Sequence, residues 1–175
     1  IDEAGIKIDY IGGTSMGAVV GGLYASGYTG IQIDSIFKAA DYDAIIQDYT
    51  PRVSKDYYER ENNDRYALTL PFQKFKLGVP IALSRGLYNY NLMTRLMDHV
   101  RHERNFKKLP IPFVCMATDI ETGQEVLLDH GFLSQAIVAS GALPTLYAPV
   151  IIDGKFLIDG GVLNNFPVVE VKNMG

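Results

Sequence analysis

The stretch Ile6-Lys7-Ile8-Asp9-Tyr10-Ile11-Gly12-Gly13-Thr14-Ser15-Met16-Gly17 decides how the rest of the chain is read. Ile6 to Ile11 is a β-rich run, and Ser15 to Ala25 reads as a helix rich in small residues. Between them the chain must turn sharply from strand to helix. A serine on such a turn points its hydroxyl away from the backbone at the strand end. The crowding there calls for glycine two residues to either side, which Gly13 and Gly17 supply. The helix N-terminus adds partial positive charge and unpaired N–H groups beside a developing oxyanion, with the Met16 N–H nearest. Ser15 is therefore the candidate nucleophile of a serine acyl hydrolase, seated in an elbow of Gly13, Thr14, Met16 and Gly17.

Working outward, Ile1-Asp2-Glu3-Ala4 followed by Gly5 looks like the last turn of a helix with its C-terminal glycine. A helix feeding a strand belongs to a βαβ unit, so a first strand is expected before Ile1. Val168 to Met174 reads as a helix closing at Gly175, with a further strand expected beyond it. Residues 1–175 thus read as a fragment of one α/β domain, cut at both ends. Within it, Ile31–Ala40 and Asn91–Arg101 are amphipathic helices and Phe132–Ser140 a buried one. Arg65–Leu77 alternates around Pro71 as two strands. Ile111–Asp119 reads as a central strand, turned back by Glu121-Thr122-Gly123 into Gln124–Leu128, and Val150–Ile158 as two short strands around Asp153-Gly154.

Composition narrows the function classes. The chain has 175 residues, 47% hydrophobic and 21% charged, with a net charge of −4 and one cysteine. An acidic balance makes no electrostatic case for nucleic acid. A lone Cys115 inside an apolar run is read as a buried hydrophobe, and no Cys/His cluster has metal-ligand spacing. No segment reaches the ~20 apolar residues needed to span a bilayer as a helix. No metal or cofactor is expected.

A serine needs a base. His99 and His102 lie on or just after an amphipathic helix beside Arg101 and Arg104, and a solvated or structural role suits them. His130 could pair with Asp119 or Asp129 in a histidine triad, though acid and histidine would then be unusually close in sequence. The other candidate is Asp159, which follows a short strand and precedes Gly160 and Gly161. Two glycines behind a carboxylate allow another backbone to approach closely. The same pattern also suits a plain Asp-Gly turn.

Three segments together resemble the patatin-like phospholipase family, in its bacterial form: Gly12-Gly13-Thr14-Ser15-Met16-Gly17-Ala18, Ala139-Ser140-Gly141-Ala142-Leu143-Pro144, and Asp159-Gly160-Gly161-Val162-Leu163-Asn164-Asn165-Phe166-Pro167. Their order and spacing match over nearly the whole chain. The resemblance implies a three-layer α/β/α fold with a mostly parallel central sheet. It also implies a Ser15–Asp159 dyad without histidine, with Ser15 as nucleophile and Asp159 as general base. The Ala139–Pro144 block is assigned to packing and the pocket wall. Proteins of this family carry a glycine-rich oxyanion loop after the first strand. Residues 1–11 do not match it, so the remaining donors are expected upstream of Ile1 and the fragment alone is expected to be impaired.

Lipid acyl esters are the implied substrates, met at a membrane surface in lipid catabolism. Leu87, Tyr88, Tyr90, Leu143, Leu146, Tyr147 and Phe166 are candidates for an apolar acyl cleft. The basic stretch Arg101–Lys108 could meet anionic headgroups, but a solvated helix end is its commoner reading. The alternatives are a catalytically inactive lipid-binding or interaction module of the same fold, and a histidine-dependent esterase. The resemblance leaves a cytoplasmic and a secreted, outer-membrane-associated location both open.

Overall fold

The computed structural model of the chain describes residues 2, 4–48, 72–73, 76–77 and 82–175. Strand β1 (Ile11–Thr14) runs into helix α1 (Met16–Ala25), followed by α2 (Gly30–Ala39) and α3 (Tyr42–Gln47). A short antiparallel pair follows, β2 (Phe72–Gln73) and β3 (Lys76–Leu77), then α4 (Leu87–Leu96). The rest comprises β4 (Phe113–Asp119), β5 (Gln124–Leu128), α5 (Leu133–Ser140), β6 (Val150–Ile152), β7 (Lys155–Asp159) and α6 (Val168–Lys172).

Strand β4 organises the sheet, and all seven of its residues are buried. Such a strand reads as a continuous apolar run because both of its faces are covered. On one face Phe113, Cys115 and Ala117 pack with Ala18 and Leu23 of α1 and Ile137 of α5. Each large apolar side chain taken out of water there contributes about 1.5–3 kcal/mol. Side chains alternate along β1, and so do the helices that cover it. A Cβ on Gly21 of α1 would lie 2.9 Å from Ile11, whereas one on Gly12 would lie 2.3 Å from Val171 of α6. The helices therefore flank both faces, giving the three layers expected. Cys115 is fully buried, and that burial pushes its thiol pKa well up, as suits a packing residue.

Register places the two ends that matter. Met116 pairs with Thr14 and Leu127, and Ala117 with Asp159 and Val126. A strand has two edges, and β5 occupies one of them from Cys115 to Asp119. Strands β1 and β7 must share the other edge. Strand β1 runs parallel to β4 and β7 antiparallel, so the two meet head to head with their C-termini opposite consecutive residues of β4.

Several sequence expectations shift. The α/β class holds, and the parallel pairing holds at β1–β4, but the three other pairings in this sheet are antiparallel. Connection length accounts for two of them: β4–β5 and β6–β7 are joined by tight turns, which can only make antiparallel pairs. Asp153 (φ 50°) and Gly154 (φ 78°) both take the positive φ that a two-residue hairpin turn demands. Strand β1 begins at Ile11, where the expected strand ended, because its partner β4 begins at Phe113, just after Pro112. Helix α4 starts at Leu87, four residues earlier than expected, behind Gly86 at φ 73°. Helix α3 went unread, though its N-cap Asp41, which accepts the Ala44 N–H, was a usable signal. Of the alternation over Arg65–Leu77, only β2 and β3 fall within the described residues; Ile1 and Glu3 of the N-terminal turn also lie outside them.

Candidate active site

The head-to-head approach of β1 and β7 leaves no room for either chain to continue, so both must turn out of the sheet at once. In β1 the turn falls on Ser15, at φ 55° and ψ −121°. A non-glycine residue held there costs on the order of 1–3 kcal/mol and persists only where its surroundings fix it. In β7 the turn falls on Gly160 and Gly161, which open a 3-10 turn over Gly160–Val162.

The glycines divide into those the turn needs and one it does not. A Cβ on Gly13 would lie 2.3 Å from the Gly17 carbonyl oxygen, and one on Gly160 would lie 2.3 Å from that of Met116. Both contacts are with backbone, which cannot give way. On Gly161 a Cβ would crowd Asp159 Oδ1 at 3.0 Å. Gly17, expected to be required by crowding, faces open space. It lies at the second position of α1, beyond the sharp part of the turn, so that expectation is corrected.

The two turns bring their side chains together. Ser15 Oγ donates to Asp159 Oδ2 at 2.6 Å. Asp159 Oδ1 accepts the Gly161 N–H at 2.7 Å, which fixes the carboxylate plane and leaves Oδ2 for the serine. Asp159 is only 3% exposed. Thr14 is buried too, and its hydroxyl donates to the Asn164 carbonyl at 2.9 Å, tying β1 to the loop after β7. The Ser15 carbonyl accepts the N–H groups of Ala18 and Val19. Those of Met16 and Gly17 precede the first intrahelical donor and remain available to an incoming oxygen. Chemically, this is a hydroxyl beside a carboxylate oxygen that can take its proton, with backbone N–H groups one residue away.

Ser15 also opens onto a cavity of about 280 Å³. Its wall is apolar and comes from five helices. Val19 and Leu23 line it from α1, Ile36 and Phe37 from α2, Tyr42, Ile45 and Ile46 from α3, and Leu92 and Met93 from α4, while Ile137 and Val138 of α5 complete it. Of the residues expected to line a cleft, Leu143, Leu146 and Tyr147 do so. Leu87, Tyr88 and Tyr90 do not; Phe166, 83% exposed, instead lines a second, shallower cleft on the other side of Ser15, with Gly12–Gly17, Asn165 and Pro167. Sequence reasoning missed the walls from α1, read as a small-residue helix, from α2, whose apolar periodicity looked the same as core, and from α3, which was not read.

No histidine lines this cavity. His130 Nδ1 does lie 2.7 Å from Asp129 Oδ1, and that carboxylate raises the imidazole pKa, but the pair sits exposed just past β5, where His130 bridges to Asn105. The other triad acid, Asp119, accepts the Glu121 N–H and the Thr122 hydroxyl in the β4–β5 turn, which lowers its pKa. His99 packs edge-on against Tyr28 and contacts the Ser26 carbonyl. Within the basic stretch, Arg101 pairs with Asp98 at 3.1 Å, Lys107 lies 4.0 Å from Asp129 and Arg104 stacks over the Phe132 ring at 3.4 Å. Among the described residues, no group of three or more His, Cys, Asp and Glu is placed to hold a metal ion. No described helix is long and apolar enough to cross a membrane.

The chain has relatives among known proteins. Proteins named Lysophospholipase NTE1 from Lodderomyces elongisporus, Meyerozyma guilliermondii and Debaryomyces hansenii are each 31% identical to it over 175 residues. Each match covers all of this chain and 10% of the relative, so the chain spans about a tenth of their length. These relatives are yeast proteins and lend no support to the bacterial form expected from the sequence. The sequence model described as Patatin-like phospholipase matches residues 1–172, and the chain belongs to that family.

Proposed function

We propose that this chain is the catalytic domain of a lipid acyl hydrolase of phospholipase A or lysophospholipase type, working through a Ser15–Asp159 dyad and an acyl-enzyme. The observation that carries the reading is the 2.6 Å hydrogen bond from Ser15 Oγ to Asp159 Oδ2 at the mouth of an apolar cavity. In the first step Ser15 Oγ attacks the ester carbonyl carbon while its proton passes to Asp159 Oδ2. The carbonyl oxygen becomes an oxyanion that the Met16 N–H stabilises. Collapse breaks the bond to the leaving oxygen, which takes the proton from Asp159 and departs as the alcohol. Water, giving a proton to the same carboxylate, then attacks the acyl carbon; the bond to Ser15 Oγ breaks, Oγ takes the proton back from Asp159, and the fatty acid leaves.

The cavity takes the acyl chain. Met16, Tyr42, Ile46 and Leu143 both line it and stand about half exposed, so its rim is apolar. A rim of that kind suits a substrate drawn from a lipid surface, where exposed apolar side chains meet acyl chains. The relatives' printed name, lysophospholipase, makes a single-chain phospholipid the first substrate to try.

The test is fatty-acid release from a lysophospholipid by the full-length protein, beside Ser15→Ala. Release abolished by Ser15→Ala supports the reading. Undiminished release in that variant refutes it, and binding without any release by the wild type would leave a lipid-binding module of the same fold.

A further inference from the structure

We propose that Ser140 is the positioning residue of this site: its buried hydroxyl pins the Ser15 backbone and so sets the reach of Oγ to Asp159. The inference rests on the dyad reading above. Ser140 is the last residue of α5 and is fully buried. Its Oγ accepts the Ser15 N–H at 3.0 Å. Two residues on, the Ala142 carbonyl accepts the Asp159 N–H at 2.9 Å. One three-residue segment thus takes a backbone N–H from each half of the dyad. Strands β1 and β7 meet end to end, with no ladder between them. The α5 terminus therefore acts as an external gauge for the 2.6 Å gap.

The energetics favour this role. Ser15 sits in a strained conformation that relaxes unless something holds it. Removing the Ser140 hydroxyl leaves a part-buried N–H without its acceptor, and the turn escapes by rotating the Ser15 peptide toward ordinary φ. That rotation carries Oγ off Asp159. Ser140 does not line the acyl cavity, although Gly141 and Leu143 beyond it do. The loss therefore falls on the chemical step and spares binding. Displacement of a reacting group by about 1 Å costs on the order of 10²-fold in rate.

The experiment compares Ser140→Ala with wild type in the full-length protein. It measures kcat per active site, titrated with a fluorophosphonate, together with KM for a lysophospholipid. The expected result is kcat per site lowered on the order of 10²-fold with KM within about two-fold. An isosteric pair separates hydroxyl from volume, and decides the matter should Ser140→Ala fail to fold. Ser140→Thr, which keeps the acceptor, is expected to exceed Ser140→Val by at least ~10-fold in kcat per site. Kcat per site unchanged in Ser140→Ala, or equal in the Thr and Val variants, overturns the inference. A wild type that neither turns over nor labels at Ser15 instead overturns the dyad reading on which it rests.

Discussion

Two carboxylates in this molecule hold a side-chain partner at almost the same distance: Asp159 with Ser15 at 2.6 Å, and Asp129 with His130 at 2.7 Å. The first pair joins residues 144 apart in sequence, is buried on the acid's side, and opens on an apolar cavity. The second joins neighbours exposed just past β5. By residue type the second pair looks more like a catalytic acid and base. Its surroundings say otherwise. A proton-transfer pair needs a nucleophile, a place for the substrate and N–H groups for the oxyanion within one small volume. Among the described residues only the end of β1 gathers these, because the head-to-head strands force two turns into one spot.

The widest separation between the pairs is expected in turnover. Asp159→Ala should lower kcat by at least ~10³-fold in a fatty-acid release assay, since members of a catalytic unit cost nearly the whole effect singly. Loss of less than about ten-fold would equate Asp159 with an ordinary turn residue. The next effect concerns the glycines. Gly160→Ala drives a Cβ into the Met116 carbonyl, costing about 1–3 kcal/mol of stability and on the order of 10²-fold in kcat by displacing Asp159. Gly17→Ala meets nothing and adds a helix-compatible residue, so thermal unfolding should show a gain of roughly 0.4–1 kcal/mol. Equal effects of the two substitutions would refute the division drawn here between crowded and open glycines.

A smaller effect concerns the cavity. Val19, one helical turn beyond Ser15, lines it. Val19→Phe should lower kcat/KM for long-chain esters about ten-fold while sparing short ones, because a filled pocket rejects extra methylenes at roughly this level. The smallest effect belongs to His130. His130→Ala should leave turnover within about two-fold of wild type. Its signature is confined to stability. Asp129 raises the folded-state pKa of His130. The pair therefore stabilises the fold fully below the unfolded pKa of about 6.5 and loses that contribution as pH rises through the folded value. Exposure screens it, so the difference in Tm between wild type and variant should be slight near about pH 6 and vanish near about pH 9. A difference growing with pH would reverse the sign argued here.

What the sequence made legible is local. The elbow around Ser15 occupies a few consecutive residues whose types answer a backbone demand, so spacing and glycine placement were enough to single it out. Asp159-Gly160-Gly161, by contrast, suited a plain turn equally well until the family resemblance assigned it. The Asp153-Gly154 hairpin was readable for the same reason as the elbow. The head-to-head meeting of β1 and β7 was not, since it depends on Thr14 and Asp159 choosing consecutive partners on β4, a matter of register between distant segments. The cavity was half readable. Leu143, Leu146 and Tyr147 were singled out, but Val19 lies in a helix read for its small residues, Phe37 shares the periodicity of core residues, and Ile45 lies in a helix that was not read. Only the packing of α1, α2 and α3 leaves a void between them. Ser140 went with the Ala139–Pro144 block, assigned as a whole to packing and the pocket wall, because the segment's residue types do not show which neighbour the serine hydroxyl meets. Its importance lies in the single bond it makes to Ser15.

The most direct test of the dyad is the rate at which a fluorophosphonate labels the full-length wild type, Asp159→Asn and His130→Ala, with the modified residue located by peptide mass spectrometry. The account predicts the adduct on Ser15 at equal rates in wild type and His130→Ala, and a rate lower by at least ~10²-fold in Asp159→Asn. Labelling of any other residue, or a rate that collapses in His130→Ala and survives in Asp159→Asn, would contradict it.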